Sequence, residues 1–402
     1  MAQKILFVHY GDNWIRGSER CLLDLVKYLD DRQYHPFIWT NNQTLSRQLD
    51  IMNIDNEVNQ FPLLLGWKAP RFDAANWLNL IEYGCKIIER ESIDLVHVNS
   101  AAPCQWMIAA AKIKHIPLVT QLHCSYIARD RLTLGINASP HIIAVSKHAA
   151  QSLLDDGYPK SNLSVVHNGI DTQSLIDQPK VDVRKQLNIP EDDFVFATVG
   201  SLIHRKGVDR IMTALRHLTL EHPNAHLVVI GDGPLRSNLE SQAELLRLAH
   251  CIHFVGEKSN VVGWLKDCDA FISGARNEAF GLVIAEASLA NIPVIAPYEG
   301  GIPEFVRHGE TGLLYKNVGI RSMTKAMRLV MANPKLSAYL ATKGYEHIIA
   351  HHDLEVTCRA IEKVYLNLWQ NKPIRSIGVL STFLPLKAVM ARRFSLLGGQ
   401  HG

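Results

Sequence analysis

The sequence has no long apolar run. No stretch approaches the roughly 18 uninterrupted apolar residues that a membrane-spanning helix needs. The N-terminal Lys4-Ile5-Leu6-Phe7-Val8-His9 is too short for a secretion signal and reads as a first strand. The seven cysteines (21, 85, 104, 124, 251, 268 and 358) form no C-x-x-C pair. An odd number of scattered thiols predicts buried free cysteines in a reducing cytoplasm, not a disulfide framework. Charge of one sign is also missing: 42 Lys and Arg against 39 Asp and Glu give a net +3. Nothing in that balance argues for a nucleic-acid partner. Low-complexity segments and short-period repeats are absent as well. Gly231-Asp232-Gly233 is followed by Pro234, so a complete G-x-G-x-x-G dinucleotide fingerprint is missing.

What is present is the composition of a globular enzyme, 47% hydrophobic and 20% charged, with 402 residues for two ordinary domains. Nineteen histidines make the surface charge sensitive to mild acid. Short β-rich runs alternate with amphipathic helical stretches, which predicts parallel sheets with crossover helices. The expected strands in the first half are Ile5–His9, Pro36–Thr40, Leu95–Asn99, Pro117–Gln121, Ile142–Val145 and Ser164–His167. Helical patterns at Glu19–Leu29, Ala74–Glu91 and Lys147–Asp155 lie between them. The scheme restarts with strands Phe194–Gly200, Leu227–Ile230, Ile252–Val255, Ala270–Ser273 and Val294–Ala296, and helices from Val208 and Pro234. The polar stretch 171–192, with Pro179 and Pro190, reads as the linker. The expected organisation is an α/β chain of two Rossmann-like, doubly wound domains facing a cleft: 1–172, 173–352, and a last helix and tail over 353–402. Ligands belong at the carboxyl ends of such strands.

The chemistry concentrates in Asn277-Glu278-Ala279-Phe280-Gly281-Leu282-Val283-Ile284-Ala285-Glu286. If a helix begins near Phe280, the N–H groups of Phe280, Gly281 and Leu282 have no partner within it and favour an anion, as does the helix dipole. Glu286 then lies about two turns along and Glu278 just outside, on the order of 10 Å apart along the axis. A diphosphate fits between them, with a sugar near one carboxylate and a ribose near the other. Lys206 follows the strand Phe194–Gly200, from which its ammonium can reach a diphosphate.

These residues stand in a series of motifs that resembles the retaining GT-B glycosyltransferases of the family 4 type (glycosyl transferases group 1), from residue 1 to about 370. In order, the motifs are Val145-Ser146 with His167-Asn168-Gly169-Ile170-Asp171, then Val199-Gly200-Ser201-Leu202 with Lys206-Gly207, Ile230-Gly231-Asp232-Gly233-Pro234-Leu235, the E-x7-E segment, and Gly300-Gly301-Ile302-Pro303-Glu304. The resemblance implies transfer of a hexose-type residue from a nucleoside diphosphate sugar to a hydroxyl acceptor, with retention and without a metal or other cofactor. It makes Glu278, Lys206 and His123 catalytic, and Gly17, Ser201, Arg205, Lys206, Phe280, Gly281, Leu282 and Glu286 donor-binding. His123, in Gln121-Leu122-His123-Cys124-Ser125, is expected beside the transferred sugar. Two positions depart from the family pattern. Ser201 stands where an arginine is usual, and Arg205 is the expected substitute. Arg16 stands for the first glycine of a paired-glycine loop, so only Gly17 carries over; a plain helix start there would make Ser18 the cap. Base contacts are expected from backbone around Gly256–Lys258.

Three other patterns carry less. Asp267-Cys268-Asp269 has the D-x-D form of a metal site, but Asp269 immediately precedes a strand. His250-Cys251-x-His253 straddles a strand start, so its side chains diverge. A sugar-nucleotide epimerase of the same fold and a non-catalytic nucleotide-sugar-binding protein are the rival functions. Residues 371–402 carry Lys372, Arg375, Lys387, Arg392 and Arg393 among apolar residues and no acid. With Leu63-Leu64-Leu65-Gly66-Trp67-Lys68 and Arg71-Phe72 they can lie on an anionic membrane surface. A peripheral place on the cytoplasmic membrane face would suit a lipid-linked or cell-surface glycan acceptor in polysaccharide biosynthesis.

Overall fold

The computed structural model describes residues 2–65, 72–316 and 319–370, together with Leu384. The basic and apolar tail 371–402 and the loop residues 66–71 otherwise lie outside the described residues. Two compact units emerge. One comprises the chain to Asn168 together with the part from Leu354 on; the other spans Gly169–Asp353.

The first unit is built on a seven-stranded parallel sheet in the order β3-β2-β1-β4-β5-β6-β7. Its strands are β1 Gln3–His9, β2 Tyr34–Thr40, β3 Asn56–Val58, β4 Leu95–Val98, β5 Leu118–Leu122, β6 Ile142–Ala144 and β7 Leu163–Val165. Ile5, Leu6, Phe7 and Val8 are all buried, the continuous apolar signature of a strand covered on both faces. Helices Gly17–Tyr28 and Leu354–Gln370 cover one face, where Leu22, Leu25, Val26 and Tyr34 share a core with Leu354, Cys358, Ile361 and Tyr365. Within it, the Tyr365 hydroxyl lies 2.6 Å from His97 Nδ1. One residue of the loop patch expected at the membrane belongs to the core. Leu63 is buried in the core of this unit beside Phe61, while Leu65 and Phe72 are exposed.

The second unit carries a six-stranded parallel sheet in the order β10-β9-β8-β11-β12-β13. The strands are β8 Phe194–Val199, β9 Ala225–Ile230, β10 Ile252–Gly256, β11 Ala270–Ile272, β12 Val294–Pro297 and β13 Leu313–Tyr315. The stretch expected as a linker is part of this unit. It folds as two short helices, Thr172–Ile176 and Val183–Leu187, whose first turns are capped by the side chains of Asp171 and Asp182. Lys266 Nζ binds the carbonyls of Ile176 and Gln178 at 2.6 and 2.7 Å and fastens the segment down. The helix expected from Pro234 starts at Arg236.

Candidate active site

In the second unit, two loops meet at the carboxyl end of the sheet. The chain leaves β8 through Gly200 and Ser201, and a single 3-10 turn, His204–Lys206, leads into the helix Val208–Leu218. The other loop leaves β11 and carries Arg276, Asn277 and Glu278. Lys206 Nζ lies 2.6 Å from Glu278 Oε2. Arg205 Nη1 reaches the same oxygen at 3.3 Å and donates to the Asn277 carbonyl at 3.0 Å. Glu278 and Lys206 keep only 13% and 18% of their side-chain surface, whereas Arg205 keeps 47%. Two cations on one carboxylate leave a local surplus of positive charge, and partial burial protects it from screening by salt.

Arg276 holds the two loops together. Its guanidinium binds both oxygens of Asp209 at 2.9 and 2.6 Å and the His204 carbonyl at 2.7 Å. Its backbone N–H donates to the Arg205 carbonyl at 2.8 Å. The Gly300-Gly301 pair supports Glu278 from the other side. Gly301 N–H donates to the Glu278 carbonyl at 2.9 Å, and a Cβ at Gly300 would fall 2.0 Å from that same oxygen. None of Arg276, Asp209 or Gly300 was singled out individually from the sequence. The Gly-Gly motif was the visible signal for one of them. The Arg276–Asp209 pair spans 67 positions and leaves no local pattern.

The helix bearing Glu286 starts later than expected. It spans Leu282–Leu289, and Gly281, at φ 106°, is its N-cap. That backbone conformation is strained for any residue with a Cβ, so the glycine sets the entry to the helix. Phe280 therefore lies outside the helix. Its side chain is buried and stacks on Phe305 with ring centroids 4.6 Å apart, an anchor for the loop. The amides without acceptors inside the helix begin at Leu282 and Val283, not at Phe280. Glu286 is half-buried in the second turn. Ser201 lies just past β8, where its carbonyl accepts from Ile203 N–H at 2.9 Å.

In the first unit, His123 immediately follows β5. Its Nε2 lies 3.1 Å from Asn99 Oδ1, while its Nδ1 is buried with no hydrogen-bond partner. Burial, helped by nearby His9, pulls its pKa down to about 4. Gly17 opens the helix Gly17–Tyr28 after the N-cap Arg16. Ser18 does not cap it. Glu19 accepts the Arg16 backbone N–H and the Ser18 hydroxyl at 3.1 and 3.2 Å.

Both aspartates of the D-x-D are engaged in structural contacts. Asp269 Oδ2 accepts from Val195 N–H and Arg184 Nη2, each at 2.7 Å. Asp267 accepts from Val183 N–H at 2.8 Å and pairs with Lys180 at 2.7 Å. Among the described residues, no group of three or more His, Cys, Asp or Glu side chains is placed to hold a metal ion. Nor is any described helix long and apolar enough to cross a membrane.

The family model for glycosyl transferases group 1 matches residues 180–347, and that for glycosyltransferase family 4 matches residues 15–174. The chain belongs to the group 1 glycosyltransferases and has the GT-B fold. It is 26% identical to N-acetyl-alpha-D-glucosaminyl L-malate synthase of Bacillus anthracis, over 77% of this chain and 82% of that protein. It is 31% identical to the lipopolysaccharide core biosynthesis mannosyltransferase LpsB of Rhizobium meliloti, over 51% of this chain and 61% of that one. The fold is similar to that of the Anabaena protein HepE crystallised with UDP-glucose, with a TM-score of 0.76 and 23% identity, over 91% of this chain and all of that one.

Proposed function

We propose that this glycosyltransferase moves a sugar from a nucleoside diphosphate sugar to a hydroxyl acceptor, with retention of configuration at the anomeric carbon and without a metal ion. The observation that carries the reading is the convergence of Lys206 and Arg205 on Glu278, beside the N-terminus of the helix that carries Glu286. Lys206, Arg205 and the N–H groups of Leu282 and Val283 bind the donor diphosphate and stabilise the charge that grows on it. The bond from the anomeric carbon to the phosphate oxygen breaks, and its electron pair leaves with the diphosphate. The acceptor oxygen forms the new bond on the same face, and its proton passes to the departing phosphate oxygen. Glu278 orients the two cations and faces the sugar; Glu286 takes the ribose. His123, at the carboxyl end of the first sheet, serves the transferred sugar.

A uridine nucleotide is the first donor to test, because HepE was crystallised with UDP-glucose. The names of the relatives put a lipopolysaccharide core on one and an L-malate product on another, both consistent with a hydroxyl acceptor. We assign this chain a lipid-linked or cell-surface glycan acceptor and a place in the cytoplasm, peripheral to the membrane. The test is a panel of nucleotide sugars in thermal unfolding, followed by turnover with and without acceptor. A donor at 100 times its dissociation constant stabilises by about 2.7 kcal/mol. Isomerisation of the donor without any acceptor would identify an epimerase instead, and binding without turnover a non-catalytic protein.

A further inference from the structure

The carboxyl ends of β1, β4 and β5 lie side by side and present His9, Asn99 and His123 in that order. The direction of winding reverses between β1 and β4, the place where open parallel sheets take their ligands. A single hydrogen-bonded chain runs through these side chains. Glu19 Oε1 lies 3.0 Å from His9 Nε2, Asn99 Nδ2 lies 3.1 Å from His9 Nδ1, and Asn99 Oδ1 lies 3.1 Å from His123 Nε2. Glu19, His9 and Asn99 are all buried.

Asn99 Nδ2 also donates to the Ser18 carbonyl at 3.2 Å, which can only accept and so sets the amide's orientation; counting donors then fixes the protons. An amide nitrogen only donates, so His9 Nδ1 accepts and the His9 proton sits on Nε2, directed at the Glu19 carboxylate. An amide oxygen only accepts, so the His123 proton sits on Nε2, and Nδ1 keeps a bare lone pair. We infer that Glu19, His9 and Asn99 are positioning residues that hold His123 as a neutral imidazole in one tautomer and one orientation. The inference rests on the reading of His123 as a catalytic group. It adds what that group can do: with its only proton committed to Asn99, His123 has no proton to give.

The surroundings agree. The titratable groups that bear on His123 are His9 from β1, Glu19 from the Gly17–Tyr28 helix and His97 from β4. Burial opposes ionisation of Glu19, but the hydrogen bond from His9 and two backbone N–H groups outweigh it and hold the carboxyl below its ordinary range. The other end of the chain is therefore a fixed anion at neutral pH. If Asn99 were turned over, its oxygen would require a proton on His9 Nδ1 and its nitrogen would strip the proton from His123 Nε2. The orientation of one amide thus decides which histidine nitrogens carry protons.

The test uses the full chain labelled with 15N-histidine, with His9 and His123 assigned from the His9→Gln and His123→Gln spectra. Between pH 8 and 5.5, long-range proton–nitrogen spectra should show His123 neutral and protonated at Nε2 throughout. Asn99→Asp puts a carboxylate between the two rings, and should move His123 to its imidazolium signals within that range while the rest of the spectrum stays folded. In turnover, Asn99→Asp and Glu19→Gln should lower kcat by about ten- to a hundredfold, the scale of a misplaced reacting group, with donor KM little changed. Wild-type His123 protonated at Nδ1, or titrating as an ordinary histidine, or unmoved by Asn99→Asp, overturns the inference. Failure of the catalytic reading is separately visible, as wild-type turnover in His123→Gln.

Discussion

Replacing Lys206 by alanine tests the proposed donor site most directly. Two consequences can be separated. The first is structural. Glu278 loses a partner at 2.6 Å but keeps Arg205 at 3.3 Å, and its backbone remains tied to Gly301. A charge-assisted hydrogen bond of this kind is worth about 1.5–3 kcal/mol, and the remaining cation offsets part of its loss. The fold should survive. The second is chemical. An ammonium aimed at the leaving diphosphate acts mainly in the transition state, where one preorganised donor contributes about 2.7–4 kcal/mol. That corresponds to roughly two to three powers of ten in kcat/KM. Lys206→Met separates charge from bulk, because it keeps the length of the side chain. Both variants should unfold within a few degrees of wild type and lose turnover alike. Initial rates against donor concentration at saturating acceptor give kcat and KM. A folded Lys206→Ala protein within about tenfold of wild-type kcat/KM would refute the assignment, since ordinary surface lysines have effects of that size or smaller.

Glu286→Ala should raise donor KM with the smaller change in kcat, whereas Glu278→Ala should lower kcat more; donor kinetics of the pair decide this. Gly300→Ala puts a Cβ 2.0 Å from the Glu278 carbonyl. It should displace that loop and reduce both donor-induced stabilisation and turnover, read in one thermal-shift series. Turnover should persist in excess EDTA; loss restored by magnesium or manganese would return Asp267 and Asp269 to consideration. Stability should fall in mild acid. Burial pulls His123 down to about 4 and His97 to about 3, so below their unfolded value near 6.5 the unfolded chain binds more protons. Each of these two should cost about 2 kcal/mol by pH 5; His141 and His253, also pulled down to about 4 chiefly by burial, add to the loss that urea unfolding at pH 7.5 and pH 5 measures.

The strands of both cores were legible because buried parallel strands are continuous apolar runs: Phe194–Val199 and Val294–Pro297 could hardly be anything else. Asn56–Val58 and Leu313–Tyr315 were not seen. Three residues are too few to show a period, and the first of these strands is Asn-Glu-Val at a sheet edge. In the donor loops the ordered motifs pointed to Lys206, Arg205 and Glu278, and the structure brings all three together. The helix start was misplaced because an apolar run gives no boundary, and the glycine inside it is the cap, not a helical residue. At Phe280 the sequence reading concerns the backbone N–H alone, and the stack of its ring on Phe305 leaves no sequence signal. The His9–Asn99–His123 row links positions 90 and 24 apart. Its only trace in sequence is that two expected strands, Ile5–His9 and Leu95–Asn99, end on members of the row, while His123 follows the end of Pro117–Gln121 by two residues.

The place of the last helix has a consequence for biosynthesis. Leu354–Gln370 buries Leu354, Cys358, Ile361 and Tyr365 in a core whose other members are made before residue 170. The ribosome therefore completes the entire Gly169–Asp353 unit before the first unit can close. Chains fold from the N-terminus as they emerge, so the nascent first unit waits with Leu22, Leu25, Val26 and Tyr34 uncovered. The later unit, uninterrupted in sequence, can finish first. A chain cut short between Tyr315 and Leu354 would keep every strand of both sheets and still display that apolar strip, the kind of surface that chaperones and proteases recognise.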